Sequence, residues 1–262
     1  GEMALVRIGT AMCGHAAGGF RVLNALESGF KEKGIQVNIS EVGCLGICYA
    51  EPIVDIKKPG QSRVLISNVQ PDEVSNLVEN YLFHDALPEE RILGYIGTDD
   101  EIGPRKKFSE IPGIALQHRI ALRNAGHIAP NDILQYIALG GYDGLNKSLN
   151  TYEPNDVIEE VKKSGLRGRG GAAFPTGVKW SFLVGSPGPT KYILCNCEEG
   201  DPGAYNDKGI LESDPYTLLE GLTIAGYATG ASNGIVFIRH GHDGPIDRTE
   251  KAIQQAYEYG LL

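Results

Sequence analysis

The 262-residue chain carries 24 basic and 33 acidic residues, a formal net charge of −9, and 42% of its residues are apolar. This composition is typical of a globular protein with one large or two ordinary domains, and the acidic charge argues against nucleic acid as a partner. No apolar run reaches the roughly 18 residues that a membrane helix needs, and no signal peptide opens the chain. The sequence therefore predicts a cytoplasmic protein without a direct membrane span.

The first 84 residues predict a small β-α-β-β-β-α unit. Residues 4–8 predict a strand, a glycine-rich turn carries Cys13, and a helix with one apolar stripe ends at Gly34. Three further strands are predicted at residues 35–39, 53–56 and 64–66, and a last helix is predicted from Pro71. This order predicts an α/β fold with a thioredoxin-like domain over residues 1–84.

Residues 85–150 show little strand signal and are predicted to be a linker and helical segment. Proline and glycine punctuate residues 85–113, which is typical of a linker. A short helix is predicted at 115–125 and another from Pro130.

Residues 151–262 alternate between strand and helix patterns, which predicts a second α/β domain with a mainly parallel sheet. The predicted strands cover 192–196 and 235–239, and the predicted helices begin at Pro154, Pro215 and Pro245.

A glycine-rich loop follows the first of these helices and reads GLRGRGGAAFPTGVKW over residues 165–180. Its glycines allow a ligand to approach the backbone and expose successive amide donors, as an anion-binding site requires. Its cations and aromatic rings favour a phosphate joined to a ring system, hence a nucleotide or a flavin. The pattern from Gly168 to Ala173 formally fits the dinucleotide fingerprint, but that fingerprint must follow a strand and this loop follows a helix. A purely structural turn is the alternative.

This loop and the later run CNCEEGDPGAYNDKGILESDPYTLLEGLTIAGYATGA (195–231) resemble the flavoprotein subunit of respiratory complex I. They are also similar to the corresponding subunits of NAD-linked hydrogenases, formate dehydrogenases and electron-bifurcating complexes. The resemblance spans roughly residues 110–262 and implies an FMN-binding domain over 151–262, with its C-terminal part expected beyond Leu262. It implies that NADH passes a hydride to FMN and that electrons then leave singly to iron–sulfur clusters.

The resemblance also implies site residues. The FMN phosphate and ring edge would be held by Gly168, Arg169, Gly170, Gly171 and Lys179. Asn196 would bond the flavin, Glu199 would lie near the nicotinamide as the catalytic residue, and Glu198, Asp201 and Phe237 would complete the cofactor-binding set. A solvated turn is the alternative interpretation of the acidic residues Glu198, Glu199 and Asp201. Four nearby polar residues are interpreted as caps and surface groups: Asp207, Lys208, Asp214 and Glu220.

The sequence departs from this family after the second strand. The family usually reads Tyr-Ile-Arg-Gly-Glu, whereas this chain has Phe237 in place of the tyrosine and Gly241 in place of the glutamate that helps to receive NADH. A zinc site made by Cys195, Cys197 and the histidines at 240 and 242 is a further alternative.

Cys13, Cys44 and Cys48 resemble the ligands of the thioredoxin-like [2Fe–2S] ferredoxin found in this family. Four thiolates normally hold such a cluster, but this chain has Ile8 near the usual first ligand, and His15 is the nearest substitute. The first domain is therefore either a metal site or a degenerate ferredoxin kept as a docking surface. No Cys-x-x-Cys motif is present, which argues against thiol exchange.

Three functions stay open at this point. One is the electron-input module of a multi-subunit redox complex, with FMN, NAD(H), a possible [2Fe–2S] cluster and a [4Fe–4S] cluster expected beyond Leu262. Its implied partners are other iron–sulfur subunits, including a small thioredoxin-like [2Fe–2S] protein. The second is a non-catalytic FMN-binding or scaffold subunit with a degenerate NADH site. The third is a zinc-binding thioredoxin-like protein without flavin.

Overall fold

A computed structural model describes residues 3–262, and chain contacts divide them into two units. The first extends to Pro130 and includes Glu212–Asp214, and the second comprises 131–211 and 215–262. The elements of the first are β1 (Leu5–Gly9), α1 (Met12–Ala17), α2 (Gly19–Lys33), β2 (Asn38–Val42), β3 (Val54–Lys57), β4 (Arg63–Ile66), α3 (Val74–His84), β5 (Ile92–Ile96), α4 (Asp99–Ile102) and α5 (Pro112–Ala115). The elements that follow are α6 (Ile133–Ala138), α7 (Asp143–Thr151), α8 (Pro154–Lys163), α9 (Thr176–Gly185), β6 (Tyr192–Cys197), α10 (Asn206–Ser213), α11 (Pro215–Thr229), β7 (Asn233–Ile238) and α12 (Asp243–Glu258).

The first unit is built on a five-stranded sheet in the order β2-β1-β3-β4-β5. β1 pairs with β2 in parallel, and the remaining neighbours pair antiparallel. The order β2-β1-β3-β4, with β3 antiparallel to its neighbours, defines a thioredoxin-like fold. The predicted fold class is confirmed.

Both faces of this sheet are covered. Val64 and Ile66 of β4 pack into a core with the apolar faces of α2 and α3, whereas Leu65 between them packs into a second core with Phe108 and Ile111. Successive strand residues point to opposite faces, so β4 is buried along its whole length.

Several predicted boundaries were wrong in this unit. Residues 85–113 are not only a linker, because they contain β5, which extends the sheet beside β4. Gly94 interrupts the alternation of β5 because an added Cβ there would lie 2.7 Å from the Phe108 nitrogen. Residues 116–125 form turns and irregular backbone rather than a helix, and the Arg119 side chain bonds the Leu45 carbonyl instead.

The remaining shifts are smaller. The strand predicted from Ile35 begins at Asn38, and the helix predicted from Pro71 begins at Val74. Cys13 lies in helix α1 rather than in a turn, and the helix predicted from Pro130 begins at Ile133, after a cap by Asp132. The predicted domain limits at residues 84 and 150 stay predictions, whereas the contacts divide the chain after Pro130.

The second unit holds a parallel strand pair, β6 and β7, joined through α11. Helices α8 and α9 pack closely at Gly177, where an added Cβ would lie 2.6 Å from the Lys162 side chain. Val157 and Ile158 of α8 form a small core with Ala228 of α11, against which Trp180 packs partly buried. The glycine-rich loop is the connection between α8 and α9.

Glu220 on α11 is buried rather than exposed on the surface. Its carboxylate accepts hydrogen bonds from the Tyr136 hydroxyl and from the amides of Tyr142 and Leu145, both at 3.0 Å. These amides open helix α7, whose N-terminal dipole favours a negative charge. The interpretation of Glu220 as a cap is thus correct, but its assignment to the surface was wrong.

Asp214 was also interpreted as a cap or surface residue, and it is buried as well. Its carboxylate accepts a hydrogen bond from the Asn124 side-chain amide at 2.7 Å, within the first unit. A carboxylate at the surface would not need such a partner, so the surface assignment was wrong here too.

No helix among residues 3–262 combines the length and the apolar character needed to cross a membrane.

Candidate functional site

The carboxyl ends of β6 and β7 bring two predicted site residues side by side. Asn196 and Phe237 are cross-strand partners in the parallel register, and Phe237 is half exposed. The Asn196 side-chain oxygen accepts a hydrogen bond from the Glu198 amide at 3.0 Å, which turns the chain away from the strand. Parallel sheets bind ligands at this edge. The polar turn and the exposed ring therefore lie where a ligand is expected.

The turn after β6 is tied to the end of β7 by an ion pair. A carboxylate oxygen of Glu198 lies 2.8 Å from the Arg239 guanidinium. Gly200 fits close to this pair, since an added Cβ would lie 2.5 Å from Arg239. Sequence reasoning missed Arg239, although its position directly after a predicted strand was a usable signal.

Glu199 caps helix α10. Its carboxylate is buried and accepts hydrogen bonds from the backbone amides of Asn206, Asp207 and Lys208, the last two at 3.1 and 3.0 Å. Burial acts to raise the pKa of Glu199, but the three amides and the Lys208 ammonium outweigh it, so the pKa lies below its ordinary value. The geometry assigns this carboxylate a structural task, and its proximity to a nicotinamide stays a prediction.

We expect Glu199→Gln to destabilise the second unit by about 1–2 kcal/mol at neutral pH, because a charged cap is replaced by a neutral one. A depressed folded-state pKa contributes stability above the unfolded value near 4.5, and this contribution is lost as pH falls through the lower folded value. Urea unfolding followed by Trp180 fluorescence at pH 7 and at pH 3–4 measures the difference, which should shrink in acid.

Glu198→Gln is the matched control, because the partly exposed Glu198–Arg239 pair should contribute less than about 1 kcal/mol. Equal losses in the two variants, or a Glu199→Gln loss that does not change with pH, would contradict the capping role.

Asp201 is exposed, and only its backbone carbonyl takes part in the turn, where it accepts the Ala204 amide at 3.0 Å. Its side chain is therefore accessible to a ligand. Its predicted place in the cofactor site stays a prediction.

The glycine loop is closed at its base and open at its tip. The Gly168 amide donates to the Phe174 carbonyl at 2.8 Å, and the Thr176 amide donates to the Leu166 carbonyl at 2.9 Å. Among the described residues, the amides of Arg169, Gly170 and Gly171 donate to no backbone carbonyl. The amide of Gly168 is therefore not available to a ligand, and the amides of Arg169, Gly170 and Gly171 remain.

The tip also has the space and charge for an anion. A Cβ added to Gly170 or Gly171 would meet no atom within 4 Å. The side chains of Arg169 and Lys179 are exposed. Free amides, open space and two cations fit the phosphate group of FMN. The loop sequence contains two aromatic residues that could face a ligand ring. Phe174 is exposed, whereas Trp180 packs against α8 and α11.

Within the described residues, no hydrogen bond joins the glycine loop to the turn at 196–201. The structure therefore forms the two halves of the predicted site separately.

Cys195 and Cys197 face the same side of β6, with their sulfurs 3.5 Å apart. The hydrogen bond between the two thiols lowers the pKa of Cys195, and the same bond, together with burial, raises the pKa of Cys197. The alternative zinc site is not assembled. Among residues 3–262 neither cysteine joins a group of three or more potential metal ligands, and neither do the two histidines.

We expect alkylation of the folded chain to distinguish these two thiols. Thiolate is the reactive species, so limited iodoacetamide treatment at pH 8 should modify Cys195 at least about tenfold faster than Cys197. Peptide mass spectrometry measures both rates, and the urea-unfolded chain is the control in which they should become equal. Equal rates in the folded chain would contradict the assignment.

The loop after β7 explains one departure from the family pattern. Gly241 has a φ of +85°, a left-handed conformation that glycine adopts freely and glutamate does not. The backbone conformation at position 241 is therefore one that favours glycine over the glutamate of the family pattern.

The three cysteines of the first unit do come together. The sulfur of Cys48 lies 2.7 Å from that of Cys13 and 4.0 Å from that of Cys44, and all three lie within 4.8 Å of one another. Burial is the main cause that raises the pKa of Cys13 to about 11 and that of Cys44 to about 12. The triad is the one group of this kind among the described residues, and it can hold a metal ion. His15 does not belong to the triad, and its ring makes an edge-to-face contact with Phe20.

The second half of the chain is similar to known proteins. Residues 161–260 match the family described as the Nuo51 FMN-binding domain. Over 146 residues the chain is 52% identical to the NADP-reducing hydrogenase protein HndC of Solidesulfovibrio fructosivorans, covering 56% of this chain and 29% of that protein. Over 147 residues it is 46% identical to a protein of the NADH-quinone oxidoreductase of Rhizobium meliloti, covering 55% and 34%. The chain thus spans about a third of the length of these relatives.

Two solved structures are also similar. One is an NAD+-reducing [NiFe]-hydrogenase in the H2-reduced state, at 20% identity and a TM-score of 0.43, covering 97% of this chain and 40% of that one. The other is a thioredoxin-like [2Fe–2S] ferredoxin from Aquifex aeolicus, at 18% identity and a TM-score of 0.32, covering 37% and 96%. The family match and the sequence relatives confirm the resemblance described from the sequence.

Proposed function

From the match of residues 161–260 to the Nuo51 FMN-binding domain, we propose that the chain is the electron-input part of a multi-subunit redox complex. Bound FMN would supply the chemistry that links a two-electron hydride donor, NADH, to one-electron acceptors. The observation that carries the proposal is the glycine-loop tip, which offers free amides, open space and two cations to an anionic group.

In this proposal the glycine loop holds the FMN phosphate. The amides of Arg169, Gly170 and Gly171 donate to phosphate oxygens, and the Arg169 and Lys179 side chains offset its charge in a chain with net charge −9. Gly168 contributes through the loop's base, because its own amide already bonds Phe174. Local positive charge is needed here because the overall field repels anions.

In this proposal the carboxyl-terminal edge of β6 and β7 binds the flavin ring and NADH. Asn196 and Phe237 offer an amide and an exposed ring side by side, and Asp201 offers an exposed carboxylate. Glu198 holds the two strand ends together through Arg239, and Glu199 fixes α10 against the turn. Glu199 therefore acts as a positioning residue in this proposal, and direct contact with the nicotinamide is the further role to be tested.

The proposed partners are other iron–sulfur subunits, among them a small thioredoxin-like [2Fe–2S] protein, with a cytoplasmic location. The two relatives named above support a complex, since one belongs to a hydrogenase and the other to an NADH-quinone oxidoreductase. The five cysteines are free thiols, which is consistent with a reducing compartment. The predicted [4Fe–4S] cluster stays a prediction.

The alternative of a scaffold subunit draws on Gly241, which replaces a glutamate associated with NADH. The relatives at 52% and 46% identity carry names of NADP-reducing or NADH-oxidising enzymes, and they favour the electron-input function.

Flavin extraction and anaerobic reduction test the proposal. The purified chain should bind one FMN, and its yellow absorbance should bleach on addition of NADH or NADPH. Bound FMN that neither nucleotide reduces would replace this function with the scaffold alternative. Failure to bind FMN at all would reject the electron-input function and would leave the alternatives that need no flavin.

A further inference from the structure

The thiol triad of the first unit differs from the ligand set of a [2Fe–2S] cluster. Such a cluster takes four thiolates, two on each iron. Cys13, Cys44 and Cys48 supply three, and residues 3–262 bring no fourth histidine, cysteine or carboxylate ligand into the group. The fold therefore presents a ligand set that is one short for the binuclear cluster.

We propose that Cys13, Cys44 and Cys48 form a mononuclear site for a single thiophilic divalent metal ion, with Zn²⁺ as the best fit and a fourth position open to an exogenous ligand. This inference concerns the first unit and does not depend on flavin or nicotinamide binding.

The sulfur geometry suits one ion. A tetrahedral Zn²⁺ with bonds of about 2.3 Å places its sulfur ligands about 3.8 Å apart. The Cys13–Cys48 sulfur distance is 2.7 Å, the Cys44–Cys48 distance is 4.0 Å, and all three distances are within 4.8 Å. The first distance is shorter than the value of about 3.8 Å expected around zinc, and the second is slightly longer. Ligands divided between two irons would be spread over a wider group.

The Cys44–Cys48 loop is also shaped around sulfur. The Gly46 amide donates to the Cys44 sulfur at 3.2 Å, the kind of supporting bond that orients a thiolate ligand. Gly46 has a φ of +83°, which a side chain rarely allows. The loop thus turns an amide toward the metal-binding atom.

Charge selects a divalent ion. Three thiolates carry −3, and a divalent ion reduces this to −1. Arg119 lies beside the site, with its guanidinium bonded to the Leu45 carbonyl and 3.4 Å from a Cβ placed on Gly46. Its charge can balance the remainder. The neighbouring Glu51 carboxylate is buried against Gly9 and bonds the Ile53 amide at 2.8 Å, outside the ligand group.

The fourth position faces solvent. Cys48 is exposed, and the other two thiols are partly buried. Zinc sites with three protein ligands keep a water or another small ligand in the fourth position. An added small thiol should therefore be able to enter the coordination sphere.

Cobalt titration of the reduced, metal-free chain tests the proposal. Co²⁺ should bind at one ion per chain with thiolate charge-transfer absorbance, be displaced by Zn²⁺, and change its spectrum when β-mercaptoethanol is added. Cys13→Ser, Cys44→Ser and Cys48→Ser should each weaken binding at least tenfold, whereas the control Cys195→Ser/Cys197→Ser should bind as the original chain does. Far-UV circular dichroism checks that each variant is folded.

Either of two kinds of result would overturn the proposal. One is the absence of stoichiometric Co²⁺ binding, or a bound-cobalt spectrum that ignores the added thiol. The other is reconstitution with iron and sulfide to two irons and two labile sulfides per chain, sensitive to the same three substitutions. Neither result bears on FMN binding, so failure here is distinguishable from failure of the proposed function.

Discussion

Replacing Glu220 with alanine is expected to destabilise the second unit by roughly 3–5 kcal/mol. The substitution removes a buried acceptor from the Tyr136 hydroxyl and from two amides at the start of α7. Donors that lose a buried partner each cost about 1–3 kcal/mol. The substitution also removes a negative charge from its favourable position at a helix N-terminus, which adds to the loss.

Urea unfolding followed by Trp180 fluorescence measures this loss, because Trp180 is the sole tryptophan and lies in the second unit. Glu250→Ala on α12 is the control, since this glutamate is exposed and its removal should change stability by less than about 0.5 kcal/mol. A Glu220→Ala loss as small as that of the control would reject the capping interpretation.

The double substitution Gly170→Ala/Gly171→Ala is expected to leave the fold intact and to weaken FMN binding at least tenfold. The added methyl groups enter open space in the protein itself, and alanine lowers the conformational entropy of the unfolded chain. Stability should therefore stay within about 1 kcal/mol of the original or rise. With a phosphate in the loop tip, the same methyl groups would occupy the space of the ligand.

Fluorescence quenching of FMN measures the affinity, and thermal unfolding of the flavin-free chain checks stability. Gly185→Ala is the matched control because its added Cβ also meets nothing within 4 Å, while its position at the end of α9 lies away from the loop tip. Unchanged FMN affinity in the double variant would show that the loop tip does not bind the phosphate.

The sequence was most informative where one periodic pattern dominated. Alternating residues such as Val54 and Ile56 predicted the strands of the thioredoxin-like fold, and the glycine loop was correctly placed after a helix. Strand β5 was missed because Gly94 breaks its alternation at a close approach to Phe108, a tertiary contact with no local signal.

The site residues were harder, because burial of a carboxylate is a tertiary property. Glu199 and Asp201 stand two positions apart in one acidic turn, yet the first is buried against three amides and the second is exposed. Glu220 sits in an apolar helix and resembles a surface residue until α7 is placed beside it. The gathering of Cys13 with Cys44 and Cys48 depended likewise on the parallel pairing of β1 and β2.

The closed base of the glycine loop bears on how fast and how tightly an anion binds. The paired backbone of Gly168 and Phe174 and that of Leu166 and Thr176 restrict the chain on both sides of the tip. A ligand then needs to immobilise only a few residues, so little of the binding free energy is spent on ordering the loop. Such a preorganised receptor should associate rapidly, with affinity differences between variants appearing mainly in the dissociation rate.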